Sequence, residues 1–129
     1  MFQPHKIDTG AVLPWEYMSA VAGTYQAGQL LNAKDGALTP VSAASPTTPG
    51  YLCMANITVA EGQCVPVTRI QHTAIYETQL SAAAENAAAG TKLQVSAGGL
   101  QVDAAAAGSF EITEIEDTAA GSVVRGRFN

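Results

Sequence analysis

Residues Ala104–Asn129 read AAAAGSFEITEIEDTAAGSVVRGRFN and spell one short phrase twice: Ala107-Gly108-Ser109 before Phe110, and Ala120-Gly121-Ser122 before Val123. Three relatives lie upstream. Ala27-Gly28-Gln29 precedes Leu30-Leu31, Glu61-Gly62-Gln63 precedes Cys64-Val65, and Ala89-Gly90-Thr91 precedes Lys92-Leu93. Glycine reaches the positive φ that turns require, and a short polar side chain behind it can satisfy local backbone groups. Five glycine–polar pairs, each opening an apolar or alternating run, predict an all-β fold. The expected form is a small β-barrel or β-sandwich of short hairpin-connected strands.

Strand periodicity fills the spaces between these signals. In KLQVSAGGLQV (92–102), Leu93 and Val95 share a face, Gly98-Gly99 turns the chain, and Leu100 and Val102 follow. QLLNAKDGALTPV (29–41) reads as a second hairpin turning at Asp35-Gly36, with Pro40 placing its return strand at a sheet edge. From Arg69 to Leu80 one parity carries Ile70, His72, Ala74, Tyr76 and Leu80, which predicts one long strand with a wet opposite face. Near the end, Val124, Gly126 and Phe128 alternate with Val123, Arg125 and Arg127. Phe110 and Ile112 share a face that Ile115 leaves, so a bulge near Thr113 is expected. LSAAAENAAAG (80–90) has helix propensity without an apolar stripe and reads as a loop, with room for one helical turn.

The first 19 residues, interrupted by Pro4 and Pro14, show neither period. They read as an extended N-terminal arm (1–19) ahead of a single β-rich domain (20–129). The arm carries Phe2, His5, Leu13, Trp15, Tyr17 and Met18, the candidate contact residues, and it is expected to dock on its own domain, a sister subunit or a partner. Removing Met1–Tyr17 is expected to leave the β-domain folded.

Composition narrows the function. The chain has 129 residues, 47% hydrophobic but only 13% charged, against about 25% charged in an average domain. So little surface charge points toward assembly with other subunits. A net charge of −5 with six Lys and Arg leaves no basic stripe for nucleic acid and disfavours an anionic membrane surface. No apolar run approaches a membrane span, and MFQPHKIDTGAVLPW lacks the apolar core of a secretory signal. Cys53 and Cys64 read as two small buried apolar residues rather than a disulfide, as expected of a cytosolic product.

Catalytic motifs do not emerge. There is no phosphate-binding glycine loop, no G-x-S-x-G and no H-E-x-x-H. His72 reads as a structural histidine and His5 as an interface or solvent residue. Neither cysteine stands beside a residue that would activate it. An enzyme is not expected, and no catalytic residue, cofactor or metal site is assigned. Glu111, Glu114, Glu116 and Asp117 match no calcium loop and read as a solvated strand face, or as partners of Arg125 and Arg127 across a C-terminal hairpin.

The order of GTYQAGQLLNAKDGALTPVS, PGYLCMANITVAEGQCVPVTR, YETQL…AAGTKLQVSAGGLQV and GSFEITEIEDTAAGSVVRGRF resembles the capsid decoration (cement) proteins of tailed bacteriophages. In that family a G-x-x-L…G hairpin is followed by a P-G-apolar strand, a second such hairpin, and a closing strand that ends on R-F. The resemblance spans about Gly23 to Phe128. Here the closing strand has Gly126 where a β-branched residue is usual, and Ala89-Gly90-Thr91 replaces a frequent V-G-D turn. The resemblance implies a structural virion protein, made in the bacterial cytoplasm, that binds the exterior of the mature capsid. There it would bridge subunits of the major capsid protein, as a homo-oligomer with a trimer favoured. The alternative from the residues alone is a small β-barrel module for carbohydrate or another ligand, with Tyr25, Tyr51 and Tyr76 as its only aromatic platforms within the domain.

Overall fold

The structure, a computed structural model, describes residues 1–10, 13–42 and 45–129. Among them the regular elements are all strands. β1 (Gln3–Ile7), β9 (Ala74–Gln79), β10 (Lys92–Val95), β11 (Val102–Ala106), β12 (Phe110–Ile115) and β13 (Val123–Phe128) form a six-stranded sheet in the order β1-β9-β13-β12-β10-β11. β2 (Glu16–Ser19), β4 (Leu30–Lys34), β5 (Ala37–Pro40), β6 (Tyr51–Cys53) and β8 (Cys64–Arg69) form a five-stranded sheet in the order β2-β8-β6-β4-β5. β3 (Gly23–Tyr25) and β7 (Ile57–Val59) make a separate ribbon, and every ladder is antiparallel.

All five glycine phrases end immediately before a strand: β4, β8, β10, β12 and β13 start on the next residue. In four of them the glycine has φ between 81° and 92°. The polar residue behind it closes a type II turn by donating its N–H three residues back: Gln29 to Gln26, Gln63 to Ala60, Thr91 to Ala88 and Ser122 to Ala119, at 3.0–3.1 Å. In three of these turns the same side chain accepts the return bond. Gln29 Oε1 takes the Gln26 N–H (3.1 Å), Gln63 Oε1 the Ala60 N–H (2.8 Å) and Thr91 Oγ1 the Ala88 N–H (3.1 Å). The fifth phrase differs. Its positive φ falls on Ala107 (67°) instead of Gly108.

The two expected hairpins form. Asp35 (φ 51°) and Gly36 (φ 81°) make a type I′ turn between β4 and β5, and Pro40 lies on the edge strand β5. β10 and β11 pair through Val95 and Val102, and the register of β12 against β13 shifts between Ile112 and Glu114, at Thr113. Gly99 sits where a Cβ would come within 2.4 Å of the Leu30 carbonyl, and its own carbonyl accepts the Leu30 N–H at 2.7 Å. This turn ties one sheet to the other. Loop 80–90 contains no helix and lies against the C-terminal hairpin through Ala84 N–H to Thr118 O and Gly90 N–H to Ile112 O.

Arg69–Leu80 is not one strand. β8 ends at Arg69, a turn closes through the Ala74 N–H and the Gln71 carbonyl (3.3 Å), and β9 begins in the other sheet. The alternation holds only within β9 and its end, where Ala74, Tyr76, Thr78 and Leu80 are buried. His72 is exposed in the turn.

Two cores share the five-stranded sheet. Leu30 and Leu52 join Tyr76, Leu93, Phe110, Ile112, Val124 and Phe128 between the two large sheets. Their neighbours Leu31 and Cys53 face the other way and pack with Leu38, Val65 and Val67 against Tyr25 and Val59 of the ribbon. Consecutive buried residues are what a strand covered on both faces requires. Single parallel bridges, Ala20 to Leu38 and Leu80 to Val102, draw distant parts of each sheet together without a continuous closed ladder. The result is sandwich-like packing.

The N-terminal segment is built into this body. β1 pairs with β9 and β2 with β8, so residues 1–19 supply an outer strand to each large sheet; Ala11 and Val12 lie outside the described residues. Within the single chain the segment pairs with the chain's own domain. Two prolines hid the strands. Pro4 sits on an outer strand, where its missing N–H is tolerated, and Pro14 precedes β2.

Candidate contact surface

The six candidate residues of the N-terminal segment separate by the side their strand presents. Phe2 is 1% exposed, with its ring 5.9 Å from both Phe110 and Phe128, and Leu13 is also buried. Both serve the chain's own core and are not offered to a partner. Met18 is half-buried against the second core. His5 is exposed beside Glu77, with Nδ1 3.6 Å from Oε2. Trp15 and Tyr17 are 54% and 69% exposed, the two most exposed large aromatic side chains described.

β2 explains the division. Tyr17 pairs with Pro66, which has no N–H and whose carbonyl already takes the N–H of Met54, just past β6 (3.0 Å). The Tyr17–Pro66 pair is therefore a non-hydrogen-bonded one, and the Tyr17 peptide groups point away from β8. Period two then puts Trp15, Tyr17, Ser19 and Val21 on one side of the strand and its extension, and Glu16 and Met18 on the other. Val21, 40% exposed, extends the apolar stripe and was not singled out by the sequence reading. The alternation W-x-Y-x-S-x-V was its available signal.

On the other face of β2, Arg69 donates from Nε and a terminal nitrogen to the two Glu16 oxygens (2.8 and 3.2 Å) while lying 5.4 Å from the Tyr51 ring centroid. The Glu16 carboxylate holds the Arg69 pKa above its ordinary value. One side of the strand thus carries a solvent-exposed forked ion pair to β8, and the other carries uncovered aromatic surface.

Elsewhere the C-terminal arginines are paired within the chain. Arg125 lies 2.8 Å from Glu77, 3.0 Å from Glu114 and 3.5 Å from Glu116, and Arg127 forms a forked pair with Asp8 (2.8 and 3.0 Å). The expected pairing across the C-terminal hairpin holds for Arg125, whereas Arg127 reaches β1's end instead. Hydrogen bonds from Arg125 and Gln3 hold the Glu77 carboxyl below its usual range, and the bond from Arg127 does the same for Asp8. Glu111 accepts from Asn129 Nδ2 (3.2 Å), and Asp117 accepts the Thr118 N–H (2.7 Å). Among the described residues no group of three or more His, Cys, Asp or Glu is placed to hold a metal ion.

Side chains suited to chemistry are dispersed. His72 Nδ1 lies 2.6 Å from the Phe128 carbonyl. Cys53 is buried, donates its thiol to Ala55 O (3.2 Å), and is pushed upward in pKa by that burial, which disfavours the thiolate. Cys64 is exposed, contrary to the expectation of two buried cysteines, because it opens β8 at the sheet's rim; both thiols are free. A shallow 440 Å³ depression is lined by the 83–87 loop, Thr91, Leu93 and Ala104, with no aromatic side chain. Tyr25 and Tyr76 are buried, and Tyr51 is covered by Arg69, so none of the three offers a bare ring for stacking a sugar.

No protein-family model matches the chain, and no characterised protein aligns with it significantly.

Proposed function

We propose that this chain is a structural capsid-decoration protein that binds the outside of a mature bacteriophage shell and bridges major capsid protein subunits. The observation that carries the reading is the aromatic stripe of β2. Trp15 and Tyr17 stand open to solvent on a strand whose opposite face carries the Glu16–Arg69 ion pair and half-buried Met18. Aromatic side chains presented on a sheet strand suit protein contact, since they bury large area on binding. The acidic balance and the resemblance in turn-and-strand order favour the same reading.

Co-sedimentation of the purified chain with expanded shells of the phage that encodes it is the direct test. Saturable binding to expanded shells and not to unexpanded ones is expected. Absence of binding would remove the proposal, and glycan-array binding by a monomeric chain would put the carbohydrate-binding module in its place.

A further inference from the structure

We infer that the outer edge of β2, from Trp15 to Tyr17, is a seat for one added strand, supplied by an extended segment of another protein. The two large sheets are one design used twice. Numbered along the chain, the strands of β2-β8-β6-β4-β5 and of β9-β13-β12-β10-β11 both run first, fifth, fourth, second, third, and β1 is the extra strand beyond β9. The correspondence reaches single hydrogen bonds. Ala20 N–H to Gln63 O and Val21 N–H to Leu38 O match Leu80 N–H to Ser122 O and Ser81 N–H to Val102 O, all at 2.9–3.0 Å. Gly28 N–H to Cys53 O and Cys53 N–H to Gln29 O match Gly90 N–H to Ile112 O and Ile112 N–H to Thr91 O, at 2.7–2.9 Å. The parallel bridges, Ala20 to Leu38 and Leu80 to Val102, match as well.

Strand for strand, Tyr17 takes the place of Glu77, since Tyr17 pairs with Pro66 as Glu77 pairs with Arg125. The outer edge of β9 is covered. Gln3 of β1 lies opposite Glu77 and donates to its carboxylate (2.8 Å), and the Glu77 side chain is only 18% exposed. The Tyr17 peptide groups point to the same side of β2, where no described strand pairs with them and the side chain is 69% exposed. The second sheet also shows that the place is wide enough. β9 holds β1 along Ala74–Glu77 and the bridge to Val102 at Leu80, so the bridge from Ala20 to Leu38 leaves Trp15–Tyr17 open to a neighbour. Unpaired N–H and C=O groups on such an edge accept an extended backbone, and the flanking side chains select it.

The two seats differ in chemistry. β9 and β13 grip the β1 segment through polar groups, Gln3 on Glu77 and Asp8 on Arg127. The matching places in the first sheet hold Tyr17 and buried Thr68, neither of them charged. The seat on β2 therefore suits a β-branched or aromatic residue opposite Tyr17, a cross-strand pair that strengthens the ladder. The chain's own segment of this kind, β1, is already used on β9. The added strand comes from another protein, and on the function proposed above, on which this step rests, that protein is the major capsid protein.

Amide hydrogen exchange of the chain, free and bound to expanded shells at one pH, tests this residue by residue. Binding is expected to slow exchange at the Tyr17 amide by about 10-fold or more. Shells that bind while the Tyr17 amide exchanges as in the free chain would overturn strand addition and leave shell binding standing. Shells that do not bind would remove both. Protection of Tyr17 in the free chain that rises with its concentration would give the seat to a second copy and overturn the inference. Proline offers an independent check, because Tyr17→Pro removes an N–H that β8 does not use. It is expected to weaken shell binding about 10-fold more than Tyr17→Ala, which keeps that N–H. Equal weakening by the two variants, both shown to be folded by urea unfolding, would count against the added strand.

Discussion

Gly62 and Gly108 occupy the same phrase, yet one added carbon would meet opposite surroundings at the two positions. At Gly62 nothing lies within 4 Å of the place a Cβ would take, and the residue is glycine because its φ is 81°. At Gly108 the φ is unremarkable for any residue, but a Cβ would fall 1.8 Å from the Leu93 carbonyl oxygen. One glycine serves a local turn, the other the close approach of two backbones far apart in sequence. Identical letters therefore mark the start of a strand without saying whether local geometry or tertiary packing demands them.

Substitutions separate the two causes. Gly108→Ala forces β10 away from the start of β12 and is expected to lose about 4 kcal/mol or more, measured by urea unfolding. An effect no larger than at Gly62 would show that the approach is not as close as described. Phe2 extends the tertiary side of the comparison. Its removal empties part of the aromatic cluster, so Phe2→Ala is expected to lose about 3–5 kcal/mol. By the same argument deletion of residues 1–17 should unfold the domain rather than leave it intact, contrary to the expectation from sequence. Gly62→Ala, which strains only φ, is expected to lose about 1–2 kcal/mol.

Acid provides a milder probe of the polar fastening of β1. Asp8 and Glu77 have depressed pKa values in the folded chain, so their contribution is complete above the ordinary carboxylate range and fades as pH falls through the depressed folded values. Amide protection, taken relative to the intrinsic exchange rate at each pH, is therefore expected to fall in β1 on acidification before it falls in β12 or β13. Simultaneous opening of all three strands would show that β1 is fastened as firmly as the core.

The same division accounts for what could be read from the sequence. The hairpin turns at Asp35-Gly36 and Gly98-Gly99, the bulge at Thr113 and the alternation of the last strand are local, and each carries its own residue signature. The turn between β8 and β9 carries none. Gln71-His72-Thr73 lacks glycine and proline, and the turn is held by contacts from elsewhere: Asp8 N–H to Thr73 O, Arg127 to His72 O, and His72 to Phe128 O. The N-terminal strands were hidden for a related reason. Their partners lie in β8 and β9, and the short alternation of Trp15, Tyr17 and Ser19 does not record them. Of the candidate contact residues, Trp15 and Tyr17 stay exposed, whereas the burial of Phe2 and Leu13 depends on packing that composition does not encode.

The stripe on β2 is where the smallest stability change should accompany the largest functional one. Trp15→Ala combined with Tyr17→Ala removes exposed surface and is expected to alter unfolding free energy by about 0.5 kcal/mol or less. The deciding measurement is co-sedimentation of this double variant with expanded shells, beside Gly62→Ala as a folded control. The account predicts that the double variant stays in the supernatant while Gly62→Ala still binds. Binding of the double variant at the level of the unaltered chain would contradict it.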